Sequence, residues 1–335
     1  MKESTQNKML AIAALILERI TPNFISIIRR PKKANDINLF SDMVIKEKDF
    51  AVVMQGPIIS KNNFTYETLK LYKEIFEGAC LILSTWEGED SKQIQKISDL
   101  GVEIILNKKP DFSGISNVNF QIVSTKEGVK YALKNGYKYC LKTRTDQRIN
   151  HYNTYWYFRN IQEVFPLKKA GIQKSRLITI SLNTFKYRLY GITDMLMFGN
   201  TLDMLIYWDV KLDKRKILEY SETMYAYSKL KYCEVYYSTS FFKKIGEDLK
   251  WTLEHSWKLI AEHFCVVDIH QIDLFWYKYN YYIEDRYRIY NKRHLKEEVE
   301  FTDWLYLYMN KASNINENII HLPINSEINK QNIRK

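Results

Sequence analysis

The sequence predicts an α/β fold built on an open, mainly parallel sheet with helices on both faces. Between residues 49 and 146, four short apolar segments alternate with longer segments whose apolar residues recur at helical spacing. Two of the helical segments end at a glycine, as helices commonly do. Strands that are apolar along their whole length are buried on both faces, and parallel strands are joined by helical crossovers. The alternation therefore indicates a series of β-α units.

The first unit comprises one strand and one helix. DFAVVMQGPI is a run of apolar and β-branched residues that ends at Gly56-Pro57. A short loop leads into FTYETLKLYKEIF, in which Leu69, Tyr72 and Phe76 fall on one face of a helix. This segment is therefore an amphipathic helix that follows a buried strand.

The same order repeats as far as Asp146. ACLILSTW predicts the second strand, DSKQIQKISDLG a helix that ends at Gly101, and VEIILN the third strand. NVNFQIVSTKEGVKYALKNG predicts a helix that ends at Gly136, and YKYCLKTRTD the fourth strand. Beyond Asp146, RLITISLNT and YGITDMLMFGN predict short strands and turns, LKWTLEHSWKLIAEHF a helix, and CVVDIHQI a further strand.

We predict three regions along the chain: a helical segment with a basic linker at residues 1–45, the α/β core at 46–210, and a carboxy-terminal region with helical additions at 211–335. The first contains the apolar run Met9–Leu17, which is too short to span a bilayer and has no cleavage site of a signal peptide after it. Because the run is apolar around its circumference, we expect it to pack on the body of the protein. The alternative is contact with anionic lipid, which the basic sequence RRPKK at residues 29–33 would favour.

Composition limits the classes of function. The 335 residues are 46% apolar, and 50 Lys and Arg against 39 Asp and Glu give a net charge of +11, which favours an anionic partner. No nucleic-acid-binding motif is recognisable, so we expect no nucleic-acid partner. Neither GxGxxG, GxxxxGK[ST] nor GxSxG occurs, so a dinucleotide site, a P-loop and a serine-hydrolase elbow lack support. The four cysteines are far apart and predict reduced thiols.

Polar or conformationally special residues stand at every predicted strand end. In open parallel sheets, ligands bind beyond the carboxyl ends of the strands. Those ends carry Gln55, Gly56, Pro57, Trp86, Glu87, Asn107, Arg144 and Asp146. Gly56-Pro57 is either a turn or a close approach of the backbone to a ligand, and Trp86 either fills the core or stacks on a planar base. Asn117 either caps a helix or contacts a ligand, whereas Gln121, one turn later, is not needed for a cap.

The stretch LKTRTDQR ends the fourth strand on several charges. A diphosphate needs its negative charge neutralised by a metal held on a carboxylate or by Arg, whose fork matches phosphate oxygens. Asp146 can hold a metal while Arg144 or Arg148 holds phosphate. The alternative is a strand-end ion pair without function.

Six segments, read in order, resemble a known family. VVMQGPI, ILSTWEGE, NKKPDFSGISNVNFQIVSTKEGVKYA, YCLKTRTDQRI, RLI and GITDMLMFG are similar to sequences of the WavE lipopolysaccharide synthesis family of bacterial glycosyltransferases. The similarity covers residues 50–208, and LKTRTDQR is its most distinctive part. The resemblance implies a Rossmann-like sheet of GT-A type, a nucleotide-sugar donor, and a glycan or lipid-linked glycan acceptor of lipopolysaccharide or a related surface polysaccharide.

The resemblance also implies a diphosphate site. In the GT-A fold the fourth strand normally ends in Asp-x-Asp, which carries a divalent metal, Mg²⁺ or Mn²⁺, on the donor diphosphate. The matching residues here are Arg144-Thr145-Asp146. Two alternatives follow: Asp146 holds the metal, with His270 as a further ligand, or Arg144 itself neutralises the phosphate.

The remaining roles follow by the same resemblance. The donor-binding residues implied are Gln55, Gly56, Pro57, Trp86, Glu87, Asn107, Asn117, Asn119, Gln121, Arg144, Asp146 and Arg148. Among them, Asn117, Asn119 and Gln121 would face the sugar or ribose. A general base must take the proton of the acceptor hydroxyl; Asp194 is the first candidate and Glu234 the second, each with a structural role as the alternative.

The sequence thus predicts a glycosyltransferase on the cytoplasmic side of a bacterial inner membrane, in peripheral contact with it. The alternative from another class is a non-catalytic sugar-binding or polyanion-binding protein that retains the GT-A fold.

Overall fold

A computed structural model of the protein describes residues 3–22, 24–34, 45–46, 48–168, 171–216, 225–277 and 298–309. At its centre lies a sheet of seven strands: β1 (Phe50–Gln55), β2 (Cys80–Trp86), β3 (Glu103–Asn107), β4 (Tyr139–Arg144), β6 (Leu177–Ile180), β7 (Met197–Asn200) and β8 (Phe264–Val267). Across the sheet, the strands follow the order β3-β2-β1-β4-β7-β6-β8.

The sheet is mainly parallel, as predicted. β1 pairs in parallel with both β2 and β4, β2 with β3, and β6 with β8. β7 runs antiparallel to its neighbours β4 and β6. Because of this reversal, the chain that enters β7 lies at the same edge of the sheet as the end of β4.

Helices cover both faces of the sheet. They are α2 (Phe64–Ile75), α3 (Ser91–Ser98), α4 (Val118–Lys134), α5 (Thr154–Val164), α6 (Thr201–Trp208), α7 (Ala226–Lys229), α8 (Cys233–Lys244), α9 (Leu253–His263) and α10 (Phe301–Met309). On one face, α4 lies so close to β1 that a Cβ at Gly128 would overlap the side chain of Val53. On the other face, the Phe50 ring packs on Phe76 and on Tyr155 of α5, with ring centroids 5.6 and 4.6 Å apart.

A small second sheet lies beside the end of β4. It pairs β5 (Gln147–Ile149) antiparallel to β9 (Leu274–Trp276). Part of the predicted region 211–335 belongs to the main sheet: β8 is one of its strands, and α9 packs against β8. The Trp304 indole of α10 donates to the Phe264 carbonyl of β8 at 2.8 Å. The division into three regions stays a prediction.

The amino-terminal helix is the one element whose predicted packing is wrong. Met9–Leu17 lies inside α1 (Glu3–Ile20), but the apolar side chains of this run do not join the core. Ile12 and Leu15 are each 57% exposed, because no described element covers the helix. Among the described residues, no helix combines the length and the apolar character that a membrane crossing requires.

Candidate active site

The carboxyl ends of β1 and β4 meet at one edge of the sheet. Gln55, which is buried, accepts a hydrogen bond from the Ser124 hydroxyl of α4 at 2.8 Å. Gly56 follows with φ at +120°, and a Cβ there would lie 2.8 Å from Thr145 Oγ1. Only glycine combines this conformation with so close an approach. Gln55 and Gly56 therefore hold the end of β1 close to α4 and to Thr145. The next residue, Pro57, is exposed.

The ends of β2 and β3 are held by internal contacts. The Asn107 amide donates to Ser84 Oγ at 2.9 Å and to the Thr85 carbonyl at 2.8 Å. Trp86 is 4% exposed and packs edge to face on Phe120, so most of its ring lies in the core. Glu87 is exposed. At this end, Glu87 is the candidate whose side chain is most open to a ligand.

Arg144 and Asp146 form a bidentate ion pair at the end of β4. Arg144 Nε donates to Asp146 Oδ1 at 2.9 Å and Nη2 to Oδ2 at 3.0 Å. The Trp276 indole of β9 also donates to Oδ2, at 3.1 Å, and the Tyr277 amide donates to the Asp146 carbonyl at 2.8 Å. Both carboxylate oxygens are therefore hydrogen bonded, and the guanidinium is held at the edge of the sheet with a fixed orientation.

These residues do not fit a divalent metal. Arg144 stands where the first carboxylate of an Asp-x-Asp would stand, and the Asp146 oxygens already accept three hydrogen bonds. His270 lies in the exposed turn before β9, whereas Asp146 lies next to the opposite end of that strand. The two residues are therefore separated by the length of β9. Within the described ranges, no three His, Cys, Asp or Glu side chains gather in a way that could hold a metal ion.

Arg148 lies away from the Arg144–Asp146 pair and binds protein groups. Its Nε donates to Thr68 Oγ1 and its Nη1 to the Pro31 carbonyl, each at 3.0 Å. The guanidinium also stacks over the Phe64 ring, 4.7 Å from its centroid, and burial lowers its pKa. Through these contacts, Arg148 anchors the segment that precedes the core.

The three candidates near the start of α4 differ from one another. Asn117 occupies the N-cap position with φ at +63° but makes no side-chain cap bond. Asn119 is buried: its amide donates to the Asp213 carbonyl at 2.9 Å and its Oδ1 accepts from the Asp213 amide at 2.6 Å. Asn119 therefore anchors the segment around Asp213. The amide oxygen of Gln121 is buried and has no hydrogen-bond partner in the described part of the chain.

Asp194 lies just before β7, beside a buried lysine that the sequence analysis did not single out. Lys142, on β4, is fully buried, and its Nζ donates to the Asp194 carbonyl and lies over the Trp208 ring, 5.0 Å from the centroid. Burial lowers the pKa of Lys142 to about 7, and the neighbouring Asp194 and Asp146 carboxylates oppose this shift. Lys142 thus lies within electrostatic reach of both acids.

Asp194 is 4% exposed, and within the described ranges no group donates a hydrogen bond to its carboxylate. Glu234, at the start of α8, differs in this respect. Its carboxylate accepts from Cys233 Sγ at 3.2 Å and from the Tyr227 hydroxyl at 3.4 Å, and lies 3.5 Å from the Arg188 guanidinium. The Asp194 carboxylate therefore accepts fewer hydrogen bonds from the described residues than the Glu234 carboxylate does.

Asp194 and Glu234 belong to the same buried neighbourhood. Burial raises the pKa of the Cys233 thiol well above its usual value, and both carboxylates raise it further. Both likewise add to the effect of burial on the Tyr237 hydroxyl, whose pKa is also raised well above the usual range. That hydroxyl donates to the Val118 carbonyl at 3.2 Å, which joins α8 to the start of α4.

The structure thus brings Arg144, Asp146 and Asp194 together around Lys142. The sequence analysis missed Lys142, although a signal was present: it directly follows the apolar residues Cys140 and Leu141 inside a strand that is predicted to be buried. A lysine in such a position has to be buried with partners or in a functional site.

Comparison with known families finds a match over most of the chain. The family model described as WavE lipopolysaccharide synthesis matches residues 50–334. No significant match is found among curated proteins.

Solved structures resemble parts of the chain at low identity. A mannose-1-phosphate geranyltransferase from Thermus thermophilus is 16% identical over 40% of this chain and 41% of its own, with a TM-score of 0.25. A protein from Desulfovibrio desulfuricans described as a candidate nucleotide-diphospho-sugar transferase is 10% identical over 59% of this chain and 75% of its own, with a TM-score of 0.33. A glycosyltransferase involved in the glycosylation of the major capsid of PBCV-1 is 13% identical over 48% and 65%, with a TM-score of 0.27. This chain therefore spans less than half of the first structure.

Proposed function

The chain belongs to the WavE lipopolysaccharide synthesis family, and from this premise we propose that it is a glycosyltransferase that moves a sugar from a nucleotide-sugar donor to a glycan acceptor. The observation that carries the proposal is the family match over residues 50–334, which confirms the resemblance found in the sequence motifs. The arrangement of Arg144, Asp146 and Asp194 at the carboxyl edge of a mainly parallel sheet supports it, because ligands of such sheets bind at that edge.

Arg144 is the proposed partner of the donor diphosphate. Transfer of the sugar leaves a nucleoside diphosphate, and the negative charge that develops on it has to be stabilised. A guanidinium suits this task because its planar fork matches phosphate oxygens. Asp146 orients the fork through two hydrogen bonds of 2.9 and 3.0 Å, so that little reorganisation is needed when the donor binds. The donor set does not suit a metal, so no step depends on one.

Asp194 is the proposed general base. It takes the proton of the acceptor hydroxyl while the hydroxyl oxygen bonds to the anomeric carbon and the bond from that carbon to the diphosphate breaks. Lys142 supports this role by donating to the Asp194 carbonyl, which fixes the backbone that carries the carboxylate. Glu234 is held by Arg188, Cys233 and Tyr227 and is proposed to position the start of α8.

The acceptor and the place of the reaction are further parts of the proposal. We propose lipopolysaccharide or a lipid-linked precursor of it as the acceptor, because the family is described by lipopolysaccharide synthesis. The predicted place is the cytoplasmic side of the inner membrane. A related surface polysaccharide such as a capsule is the alternative acceptor within the same chemistry.

The experiment that tests the function is a donor screen with purified protein. Thermal-shift measurements with UDP, GDP and CMP sugars identify a donor, and release of the nucleotide with and without a glycan acceptor then measures turnover. The assay is repeated with EDTA and with added Mg²⁺ or Mn²⁺. We expect turnover that survives EDTA, and its loss in Asp194→Asn.

Each other outcome has a definite meaning. Stabilisation by a sugar nucleotide without any turnover would support the non-catalytic sugar-binding alternative. Turnover that disappears with EDTA and returns with Mn²⁺ would contradict the role of Arg144 and restore a metal on Asp146.

A further inference from the structure

The amino-terminal helix α1 presents apolar side chains that the rest of the described chain does not cover. Met9 is 56% exposed, Ile12 and Leu15 57% each, Ile16 54% and Ile20 73%. A helix of 18 residues is about 27 Å long. Its apolar side chains would be expected to lie in a core, because a helix that is apolar around its circumference is normally buried.

The apolar surface continues after the helix. The Ile25 amide donates to Glu18 Oε1 at 2.9 Å, which turns the chain back, and Arg29 Nη1 reaches Gln6 Oε1 at 3.5 Å. Phe24 on this returning segment is 97% exposed. We call residues 3–22 and 24–33 the amino-terminal arm. The arm carries nine of the eighteen large apolar side chains that are exposed in the described part of the chain.

Positive charge surrounds this apolar surface. Lys8, Arg19, Arg29, Lys32 and Lys33 are all exposed. The only acidic residues of the arm are at positions 3 and 18, and the second of these accepts the hydrogen bond that turns the chain. An apolar helix with basic residues at its ends and on its returning segment has the composition of an element that lies in a lipid interface.

The arm is fixed to the body of the protein at its end. Arg30 Nε donates to Asp273 Oδ1 at 2.9 Å, and Arg148 donates to the Pro31 carbonyl at 3.0 Å. The Ala34 amide donates to Glu67 Oε2 at 3.0 Å. Arg148 belongs to β5, two residues after Asp146. The attachment therefore lies beside the edge of the sheet that carries the candidate active site.

A second copy of the chain is less compatible with the charge of this surface. In a symmetric pair of arms, the basic residues of one copy would face those of the other, and like charges oppose such contact. A negatively charged lipid surface is complementary to the same residues and can take up the apolar side chains at the boundary between head groups and acyl chains.

We propose that the amino-terminal arm docks the protein on an anionic lipid surface, with α1 lying in the plane of the interface. The apolar side chains enter the acyl boundary, while Arg19, Arg29, Lys32 and Lys33 lie at the level of the head groups. This interaction goes beyond the proposed sugar transfer, because it depends on no residue of the candidate active site. Docking through the arm would bring a lipid-linked acceptor next to the candidate active site.

The test is co-sedimentation of the 335-residue chain with vesicles. One set contains phosphatidylcholine alone, and the other contains phosphatidylcholine and phosphatidylglycerol in equal parts. We expect strong binding to the anionic vesicles, weakened by added salt, and little binding to the neutral vesicles. Equal binding to both sets, or binding to neither, would overturn the proposal.

Two groups of variants separate the apolar and the charged contributions. The double variant Ile12→Gln/Ile16→Gln is expected to abolish binding; its control, Val164→Gln/Ile172→Gln, changes side chains of similar exposure (65% and 55%) on the body and is expected to bind normally. The triple variant Arg29→Gln/Lys32→Gln/Lys33→Gln is expected to lose on the order of 100-fold in affinity for anionic vesicles. Its control, Lys134→Gln/Lys216→Gln/Lys250→Gln, removes three exposed lysines elsewhere and is expected to lose much less.

Two further measurements make the result independent of folding and of self-association. Thermal unfolding should be unchanged in the arm variants, since their side chains are exposed. Sedimentation velocity without vesicles should show the same species for the wild type and for Ile12→Gln/Ile16→Gln. A wild-type dimer that this variant dissociates, without vesicle binding, would assign the surface to a second copy of the chain and overturn the proposal.

Discussion

The site has two acidic regions, and their carboxylates are in opposite situations. At the end of β4, Asp146 accepts hydrogen bonds from Arg144 and Trp276 on both oxygens. Just before β7, Asp194 is equally buried, but within the described ranges nothing donates to its carboxylate, and Lys142 donates to its backbone carbonyl instead.

The difference in hydrogen bonding indicates two different roles for the carboxylates. A carboxylate whose oxygens are held by an arginine orients that arginine and is a poor proton acceptor. A buried carboxylate without donors has lone pairs available for a hydroxyl proton. The Arg144–Asp146 region therefore suits the leaving diphosphate, and the Asp194 region suits the acceptor. Substitutions in the two regions should therefore affect different steps of transfer.

Asp194→Asn is expected to have the largest effect. It keeps the shape of the side chain but removes the base, so kcat should fall by roughly 10²–10⁴-fold. The measurement is nucleotide release with saturating donor and acceptor, with thermal unfolding as the folding check. Glu234→Gln is the matched variant and should lose far less. The reverse order of these two losses would assign the base to Glu234.

The Arg144–Asp146 pair should behave as one unit in a double-mutant cycle. Arg144→Ala is expected to raise the donor KM by roughly 10- to 100-fold, because a hydrogen-bonded charge is lost. Asp146→Asn should have a smaller effect, and the double variant should resemble Arg144→Ala alone, because Asp146 acts through Arg144. If the two effects instead simply multiplied, Asp146 would have a separate role in donor binding.

Lys142→Met tests the electrostatics of the Asp194 region through pH. The pKa of Lys142 is lowered from 10.5 to about 7, so between these values the unfolded chain binds a proton that the folded chain does not. The free energy of unfolding of the wild type, relative to the variant, should therefore rise with pH by about 1.4 kcal/mol per unit in this window. Urea unfolding at several pH values measures it. A difference that is flat or that falls with pH would place a charged lysine in the core.

The smallest effect on transfer is expected at Arg148. Arg148→Met removes hydrogen bonds to Thr68 and to the Pro31 carbonyl, so the protein should lose roughly 3 kcal/mol of stability. The donor KM should stay within roughly a factor of two, since the guanidinium binds protein groups. Urea unfolding and initial rates at a temperature where the variant is folded separate the two effects. A KM change as large as that of Arg144→Ala would show that both arginines contact the donor.

The β-α part of the fold could be predicted because local patterns decide it. Apolar strands such as Phe50–Gln55 and glycine-ended helices carry their own signals, and all four predicted strands are present. The packing of α1 could not be predicted in the same way. Hydrophobic character shows that a helix needs cover but does not show what covers it.

The site was predictable only in part, since sequence gives strand ends but not the direction of side chains after a turn. Arg144 and Arg148 are four residues apart and look equivalent in LKTRTDQR. The turn at Thr145-Asp146 places the first at the edge with Asp146 and the second against Thr68 and Phe64. The partner of Asp194 was missed for a similar reason, because Lys142 comes from a strand 52 residues away.

The contact between Gly128 and Val53 sets how closely α4 packs on the sheet. Helix α4 bonds to the end of β1 through Ser124 and to α8 through the Val118 carbonyl, and α8 carries Glu234 beside Asp194. A side chain at position 128 would push α4 off the sheet and shift both attachments together. Substitution of this glycine is therefore expected to shift the start of α8, which carries Glu234, from a position that belongs to neither acidic region.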